Sequence, residues 1–302
     1  MTSLPSIFFT IIAPILTVAG LGFLADRLFT IDTRTISRLT LYFFSPSLVF
    51  AGLAGSSLQA NEIGQITTFA TASLAAITAL GWIASRLLRL DRRTASAFVL
   101  SIALVNAGNY GLPLNEFAFG RAGLERALIF FSVAAVFANT IGVFLASRGN
   151  ASIRQSALNV FRTPLPYATL LGLVVNQGWL PMPEPVLRVT DLLGRAAIPL
   201  LLLLLGIQLS RTSLRGNLTV ILAAASLRLV GSILLAIPLT SLMGLIGVTR
   251  QTVIIEASMP TAVISIVLAV EFNSDAETVS SIVLVSTLAS VVTLSGLLLY
   301  LM

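Results

Sequence analysis

The chain has 302 residues, of which 56% are apolar and only 10% are charged, with a formal net charge of +6. Soluble domains carry about 25% charged residues, so the composition excludes an ordinary soluble protein, and its apolar content excludes a disordered one. The basic residues are dispersed between apolar runs, which argues against nucleic-acid binding and leaves an all-α polytopic membrane protein as the expected class.

Ten apolar stretches are long enough to cross a bilayer, which takes about 20 residues in a helix. They leave only short loops between them and no soluble domain. The predicted spans are 4–25, 37–55, 63–85, 95–117, 127–147, 164–181, 192–209, 217–241, 250–271 and 278–301.

The charges in the loops predict the orientation of these spans. Most of the loop arginines follow spans one, three, five and seven. Because cytoplasmic loops carry an excess of positive residues, we expect these loops in the cytoplasm and both termini outside it, in a bacterial inner membrane.

A polar stretch at residues 148–163 divides the spans into five and five. An odd number of spans in each half forces opposite orientations, so a duplication would be an inverted repeat. The same offset of 153 positions relates Pro46 to Pro199 and Gly120 to Asn273, which supports a duplication. The predicted domains are a first five-helix repeat at 1–147, a cytoplasmic linker at 148–163 and an inverted second five-helix repeat at 164–302.

Span four contains the sequence Asn-Ala-Gly-Asn-Tyr-Gly-Leu-Pro, from Asn106 to Pro113. Pro113 cannot donate to the carbonyl of Asn109, so we predict a break in the helix here. Asn106 lies about 18 Å deep, near the bilayer midplane, where an unwound backbone needs protein or a wet cavity around it. A simple kink, with asparagines bonding between helices, is the alternative. The predicted substrate-binding residues are Asn106, Gly108, Asn109, Tyr110, Gly111 and Pro113.

Span nine carries a second interrupted segment, Glu-Ala-Ser-Met-Pro-Thr, from Glu256 to Thr261. Pro260 frees the carbonyl of Glu256, so one residue offers a small cation both a carboxylate and a backbone oxygen. Paired interruptions in the two halves of a chain indicate the binding site of a transporter. We therefore predict a sodium or proton site at Glu256, with the backbone of Met259 as a further ligand. The predicted substrate-binding residues here are Ser258, Met259, Pro260 and Thr261.

Span eight contains one charged residue, Arg228, which lies about 16 Å from the start of the span. A charge at this depth costs at least about 2.5–3.5 kcal/mol, so the side chain should face the protein interior and have a partner. Glu256 is the natural partner, since it is the only acidic residue well inside a span. One interpretation is a purely structural pair, and the other is that Arg228 contacts an anionic substrate or releases Glu256 during transport. The two roles are not exclusive.

Other polar residues have less specific interpretations. Asn139, Thr140 and Gln208 are candidates either to line a cavity or to form hydrogen bonds between helices. A charged group at the outer end of span four and beyond it is expected to form a solvated loop, and its members are Glu116, Arg121, Glu125 and Arg126.

These motifs resemble the auxin efflux carrier family of bacterial permeases, which are relatives of the plant PIN exporters. The residues that carry the resemblance are Asn106 to Leu114, Phe119-Gly120 and Ala257 to Ala262. The resemblance implies two inverted five-helix repeats in which helices four and nine are broken and cross at the substrate site. It also implies a scaffold of helices one, two, six and seven, often the dimer contact, and a transport domain of the other six that moves as an elevator.

The wider superfamily includes the bile acid–sodium symporters, whose ninth helix carries a Glu-x-x-Met segment that ligates sodium. The sequence Glu256-Ala-Ser-Met259 is similar to that segment. The plant carriers are not thought to need an ion gradient, so the resemblance leaves the coupling ion open. Bacterial members are associated with organic anions, including malonate-like dicarboxylates. The chain lacks the long central cytoplasmic loop of the plant exporters, so their regulation does not carry over.

The functional hypothesis is a secondary transporter of a small organic anion. We expect it to work by alternating access as a homodimer in the lipid bilayer, with sodium, a proton or no ion as the coupling ion and with no other cofactor. One alternative is a cation/proton antiporter of the same architecture, for which a single glutamate is a sparse site. The other is a membrane protein that transports nothing. An enzyme is not expected, because the chain has no Cys, His or Lys and so lacks thiolate, imidazole and Schiff-base chemistry.

Overall fold

The computed structural model describes residues 3–147, 158 and 160–302, and this part of the chain is helical, with one isolated antiparallel bridge and no sheet. Helices satisfy their backbone hydrogen bonds locally, which a bilayer requires. The helices are α1 (Leu4–Leu28), α2 (Thr33–Ala54), α3 (Ala60–Leu87), α4 (Arg92–Ala103), α5 (Ala107–Ala146), α6 (Leu165–Asn176), α7 (Glu184–Ser210), α8 (Leu218–Leu242), α9 (Gly247–Ala257), α10 (Ile264–Glu271) and α11 (Ala276–Leu301).

Seven of these helices are long and apolar enough to span a membrane, namely α1, α2, α3, α5, α7, α8 and α11. Predicted span six corresponds to the shorter α6. Span four divides between α4 and the start of α5, and span nine divides between α9 and α10. The predicted linker at 148–163 lies outside the described residues except for Leu158 and 160–163. The chain is a multi-pass membrane protein, and the number of ten spans stays a prediction.

Five helices begin directly after a short polar side chain that accepts hydrogen bonds from the backbone of the first turn. These caps are Ser3, Asp32, Asp91, Asn217 and Asp275. Asp91 accepts from the N–H groups of Arg93 and Thr94 at 2.9 and 3.2 Å. Hydrogen bonds from the side chain and backbone of Thr94 lower the pKa of Asp91, because they favour its charged form. This cap fixes where α4, the first half of span four, begins.

Helices α1, α2, α6 and α7 pack together, with α7 lying along α1 and α2 and α6 lying on α2. The approach of α1 to α7 requires glycine. A Cβ atom on Gly22 would lie 2.2 Å from the carbonyl oxygen of Leu203, and one on Gly206 would lie 1.7 Å from that of Ala19. Small residues allow this contact, since van der Waals packing is the main attraction between helices in lipid.

One arginine joins the ends of α1, α2 and α7. Arg211 donates to both carboxylate oxygens of Asp26, at 2.7 and 3.1 Å. It also donates to the carbonyl of Ile31 at 2.8 Å and to the hydroxyl of Thr33 at 3.0 Å. The hydrogen bond to Asp26 raises the pKa of Arg211. A guanidinium with two parallel bonds to a carboxylate has a specific geometry, so this contact fixes how the three helix ends meet.

The remaining helices form a second packed group. Helix α3 contacts α4, α5 and α8, helix α9 contacts α5 and α8, and α11 contacts α4, α8 and α10. Arg126 of α5 pairs with Glu62 of α3 at 2.7 Å and donates to the hydroxyl of Thr249 of α9 at 2.8 Å. Both members of the ion pair are mostly buried. One polar cluster therefore connects three helices of this group.

Helix α5 bends sharply at Gly120, where φ is 61° and ψ is −154°. This backbone conformation is essentially confined to glycine. The residues around the bend were expected to form a solvated loop, and that prediction is wrong because a single residue makes the turn. Glu125 is 5% exposed and accepts from Arg121 Nε at 3.0 Å and from the backbone of Ser57 at 3.3 Å.

Candidate functional site

Two short non-helical segments connect α4 to α5 and α9 to α10, and they pair in antiparallel fashion at Val105 and Thr261. The N–H of Asn106 donates to the carbonyl of Pro260 at 2.9 Å, and the N–H of Ala262 donates to the carbonyl of Leu104 at 2.8 Å. Each interruption thus satisfies backbone groups of the other, as a bilayer requires. The two segments, residues 104–106 and 258–263, are called the crossing below.

The last carbonyl groups of α4 and α9 have no partner within their own helix, and side chains at the crossing satisfy several of them. The hydroxyl of Thr261 donates to the carbonyl of Ser101 at 2.8 Å. Arg228 donates from Nη1 to the carbonyl of Ile102 at 2.8 Å and from Nη2 to the carbonyl of Ala257. The C-terminal ends of α4 and α9 therefore meet at one guanidinium group.

The break in span four lies earlier than the sequence predicts. The extended residues are 104–106, and α5 begins at Ala107. The N–H groups of Gly111 and Leu112 donate five residues back, to Asn106 and Ala107. This wide helical turn accommodates Pro113, which has no N–H to donate. The prediction that Pro113 breaks the helix is wrong, because pairing across the crossing holds the extended segment.

The start of α5 presents unpaired hydrogen-bond donors. Gly111 donates to Asn106, whereas the N–H groups of Ala107, Gly108, Asn109 and Tyr110 make no backbone hydrogen bond outside α5 in the described part of the chain, and the first turn of a helix offers such groups no acceptor. The side-chain Nδ2 of Asn106 is buried and has no partner in the same part of the chain. Asn109 donates to the Oε1 of Gln208 in α7 at 3.2 Å, and both side chains are partly exposed. The structure thus brings Asn106, Asn109 and Gln208 to one helix end.

Glu256 lies beside the same helix end and is fully buried. Its Oε1 accepts from Asn115 Nδ2 at 2.9 Å, and Asn115 also donates to the carbonyl of Gly111 at 3.0 Å. The carboxyl group rests on the backbone of Gly111, where a Cβ atom would lie 2.5 Å from Oε2. Oε2 has no hydrogen-bond partner among the described residues. This carboxyl group is therefore enclosed by protein and held by a single amide.

Sequence reasoning missed Asn115, which forms that hydrogen bond. Its signal was available, because Asn115 is a third amide in the same apolar span as Asn106 and Asn109. The sequence also predicts that the main-chain carbonyl of Glu256 is free, and this prediction is wrong. That carbonyl accepts from the N–H of Met259 at 3.3 Å, because the chain turns at the end of α9 instead of continuing past Pro260 in a helix.

The predicted residues of span nine lie inside the crossing and are fully buried. The hydroxyl of Ser258 donates to the carbonyl of Ile254 at 2.7 Å, and the N–H of Thr261 donates to the hydroxyl of Ser286 at 3.2 Å. The N–H groups of Met259 and Thr261, two of the predicted substrate-binding residues, thus have partners within the protein. Tyr110, at the start of α5, is also buried and lies beside Ser290.

Arg228 and Glu256, the expected pair, form no ion pair in the described part of the chain. The expectation of a pair is wrong because backbone carbonyls take both terminal nitrogens of the guanidinium. Asn139 and Thr140 donate to carbonyls of their own helix, at 2.8 Å each. Asn139 is exposed, so among the less specific candidates Gln208 alone joins the start of α5.

The sequence profile of a family described as "Membrane transport protein" matches residues 7–298. The chain belongs to this family. The resemblance to the auxin efflux carriers is thereby confirmed. The transporter is 29% identical over 267 residues to an "uncharacterized transporter" of Methanothermobacter thermautotrophicus, with 87% of each chain covered. It is 24% identical over 274 residues to another of Methanocaldococcus jannaschii, again with 87% of each covered. The family is one of membrane transporters and not of enzymes.

Proposed function

We propose that this transporter moves a small organic anion whose carboxylate binds at the start of α5. The observation that carries the proposal is the set of unpaired donors there. The first-turn N–H groups of Gly108, Asn109 and Tyr110 have no acceptor one turn earlier in the helix, and the Nδ2 of Asn106 adds a side-chain donor. The N-terminus of a helix carries about half a positive charge, which favours an anion.

We infer further that the helices form two inverted five-helix repeats, with the broken helices crossing at the site. The two packed groups of helices support this arrangement, and so does the backbone. Gly120 and Asn273, which share the offset of 153 positions, both have positive φ, at 61° and 55°. The group of α1, α2, α6 and α7 is the scaffold and homodimer contact, and the other group moves against it as an elevator.

Glu256 is the group that carries the coupling ion in this proposal, and the geometry favours a proton over sodium. A hard cation needs several oxygen ligands. At Glu256 an amide N–H occupies Oε1, the backbone of Gly111 covers the carboxyl group, and the main-chain oxygen already accepts from Met259. Sodium remains the alternative, with the carbonyl of Met259 as a second ligand.

Transport by purified protein in proteoliposomes tests the substrate class. We expect uptake of radiolabelled carboxylates, beginning with malonate, and at least about a tenfold loss of rate in Asn106→Ala, since a lost hydrogen bond to a charged group is worth about 1.5–3 kcal/mol. Asn139→Ala is the matched control, because Asn139 is exposed and bonds only its own helix. Equal rates for Asn106→Ala and wild type would contradict the proposed site.

The same vesicles distinguish a carboxylate transporter from a cation/proton antiporter. Exchange of sodium for protons without any carboxylate, together with no uptake of any carboxylate tested, would favour the antiporter.

The coupling ion is tested by thermal unfolding of the detergent-purified protein in sodium chloride or choline chloride at constant ionic strength. A ligand of the folded state raises the midpoint in proportion to ln(1 + [L]/Kd). With a proton at Glu256 we expect no difference between sodium and choline. A sodium-dependent rise in the wild type that Glu256→Ala abolishes would identify a sodium site instead.

A further inference from the structure

Arg228 is the one arginine of the described chain that is almost fully buried in a membrane-spanning helix, at 1% exposure in α8. Glu256, the carboxylate that the sequence predicts as its partner, does not pair with it. Its two terminal nitrogens donate to carbonyls at the ends of two other helices, at Ile102 of α4 and at Ala257, the last residue of α9. A single side chain therefore ties both halves of the crossing to α8.

The charges at this point balance. The C-terminal end of a helix carries about half a negative charge from its unpaired carbonyl groups. Two such ends meet at the crossing, so together they present about one negative charge to the single positive charge of Arg228. Carbonyl oxygens are ligands of hard cations. Without an arginine, a place where two helix ends bring such oxygens together would therefore suit a bound cation.

The remaining nitrogen of Arg228, Nε, does not reach a substrate-sized space. Nε has no partner among the described residues. The cavity that Arg228 lines measures about 10 Å³ and is shared with Ser73 and Ser232. That volume accommodates about one water molecule, which is far smaller than an organic anion.

We propose that Arg228 is a built-in counter-ion of the crossing. It is a positioning residue that stands in place of a bound cation between the C-terminal ends of α4 and α9 and does not contact the substrate. The inference does not rest on the identity of the transported anion. It implies that these two helix ends need no exchangeable ion. Ion coupling is then confined to Glu256.

The first test compares Arg228→Lys with Arg228→Met in thermal unfolding of the detergent-purified protein. Lysine keeps the charge and can donate to carbonyls, whereas methionine keeps much of the length without the charge. We expect the unfolding midpoint of the lysine variant to lie close to that of the wild type. The midpoint of the methionine variant should fall by at least about 5 °C. Arg195→Met, which removes an exposed pair with Asp191, is the control and should shift the midpoint by less than about 1 °C.

The proposal would be overturned if the methionine variant had the same unfolding midpoint as the wild type. It would also be overturned if the midpoint of the lysine variant were as low as that of the methionine variant. Where a variant is too unstable to purify, the yield of monodisperse protein extracted from membranes replaces the midpoint. The same order of arginine, lysine and methionine is then expected, and any other order counts against the proposal.

The second test is chemical rescue of Arg228→Ala. The alanine leaves space in which a free guanidinium ion can contact the carbonyls of Ile102 and Ala257. We expect guanidinium chloride at about 10 mM to reverse at least half of the decrease in the unfolding midpoint, and the effect should saturate. Choline chloride at the same concentration should reverse none of it. The wild type should not respond to either salt at this concentration.

A folded Arg228→Ala protein that guanidinium does not stabilise would show that the arginine acts by packing alone. Neither test uses a substrate, so this failure is distinct from a failure of the proposed carboxylate site, which only the transport assay reports.

Discussion

A carboxyl group enclosed by protein has few ways to remain charged, because a buried charge needs a cation or several hydrogen bonds. Glu256 receives one hydrogen bond, from Asn115, and no cationic side chain pairs with it in the part of the chain that is described. Asn115 itself has an unpaired Oδ1. Asn115 thus offers an acceptor, Oδ1, to a protonated carboxyl group of Glu256 and a donor, Nδ2, to its Oε1.

Glu256→Gln is therefore expected to be tolerated. The glutamine is a neutral isostere that can accept from Asn115 Nδ2 and donate from its own amide, so the unfolding midpoint should change little. Glu256→Ala leaves the Nδ2 of Asn115 with one acceptor fewer and creates a cavity, and we expect a loss of about 1–3 kcal/mol. Thermal unfolding in detergent measures both. A glutamine variant as unstable as the alanine variant would indicate that the negative charge, and so a bound cation, is needed.

Residues that interrupt an apolar span were predictable, and their partners were not. Asn106, Asn109 and Glu256 stand out because polar groups inside a bilayer need a reason to be there. Arg228 stands out for the same reason, but its partners are backbone carbonyls, and every residue has a carbonyl. Sequence therefore suggests a side-chain partner when the real one carries no sequence signal.

At the scale of helices, the closest contact is between α1 and α7. Gly22→Ala places a methyl group 2.2 Å from the carbonyl oxygen of Leu203, so the helices must separate. We expect a destabilisation of about 1–3 kcal/mol, as for other overpacked contacts. Gly20→Ala is the matched control two residues away in the same helix, because its Cβ would meet nothing within 4 Å. Equal midpoints for the two variants would contradict this close approach.

The bend in α5 depends on one backbone angle rather than on packing. A Cβ on Gly120 would meet nothing within 4 Å, so the cost of Gly120→Ala comes from the positive φ alone. We expect a loss of about 1–3 kcal/mol, measured as a lower unfolding midpoint. An alanine variant as stable as the wild type would show that this bend is not strained.

The existence of most helices followed from apolar length, but their interruptions did not follow from proline and glycine. Pro260 does lie in the extended segment after α9, whereas Pro113 lies inside α5. The two prolines differ because an extended segment at membrane depth needs outside partners for its backbone. Those partners come from the other half of the chain, and no local pattern encodes them.

For the molecule as a whole, the loop arginines predict that both termini lie outside the cytoplasm. The chain has no cysteine, so single cysteines can report sidedness without a cysteine-free background. We expect Gln177→Cys, exposed after α6, to react with a membrane-impermeant maleimide from outside intact cells. Ser213→Cys, exposed after α7, should react only after the membrane is permeabilised. The reverse pattern would invert the topology.

The crossing has a consequence for the order in which the protein matures. Leu104 and Ala262 bond each other although more than half of the chain separates them. During synthesis the first half enters the membrane before the second half exists, and in that interval the carbonyl of Leu104 and the N–H of Asn106 face a medium without water. The crossing is therefore completed last, and a ribosome that stalls between the halves leaves an inserted chain whose backbone groups at Leu104 and Asn106 still lack their partners.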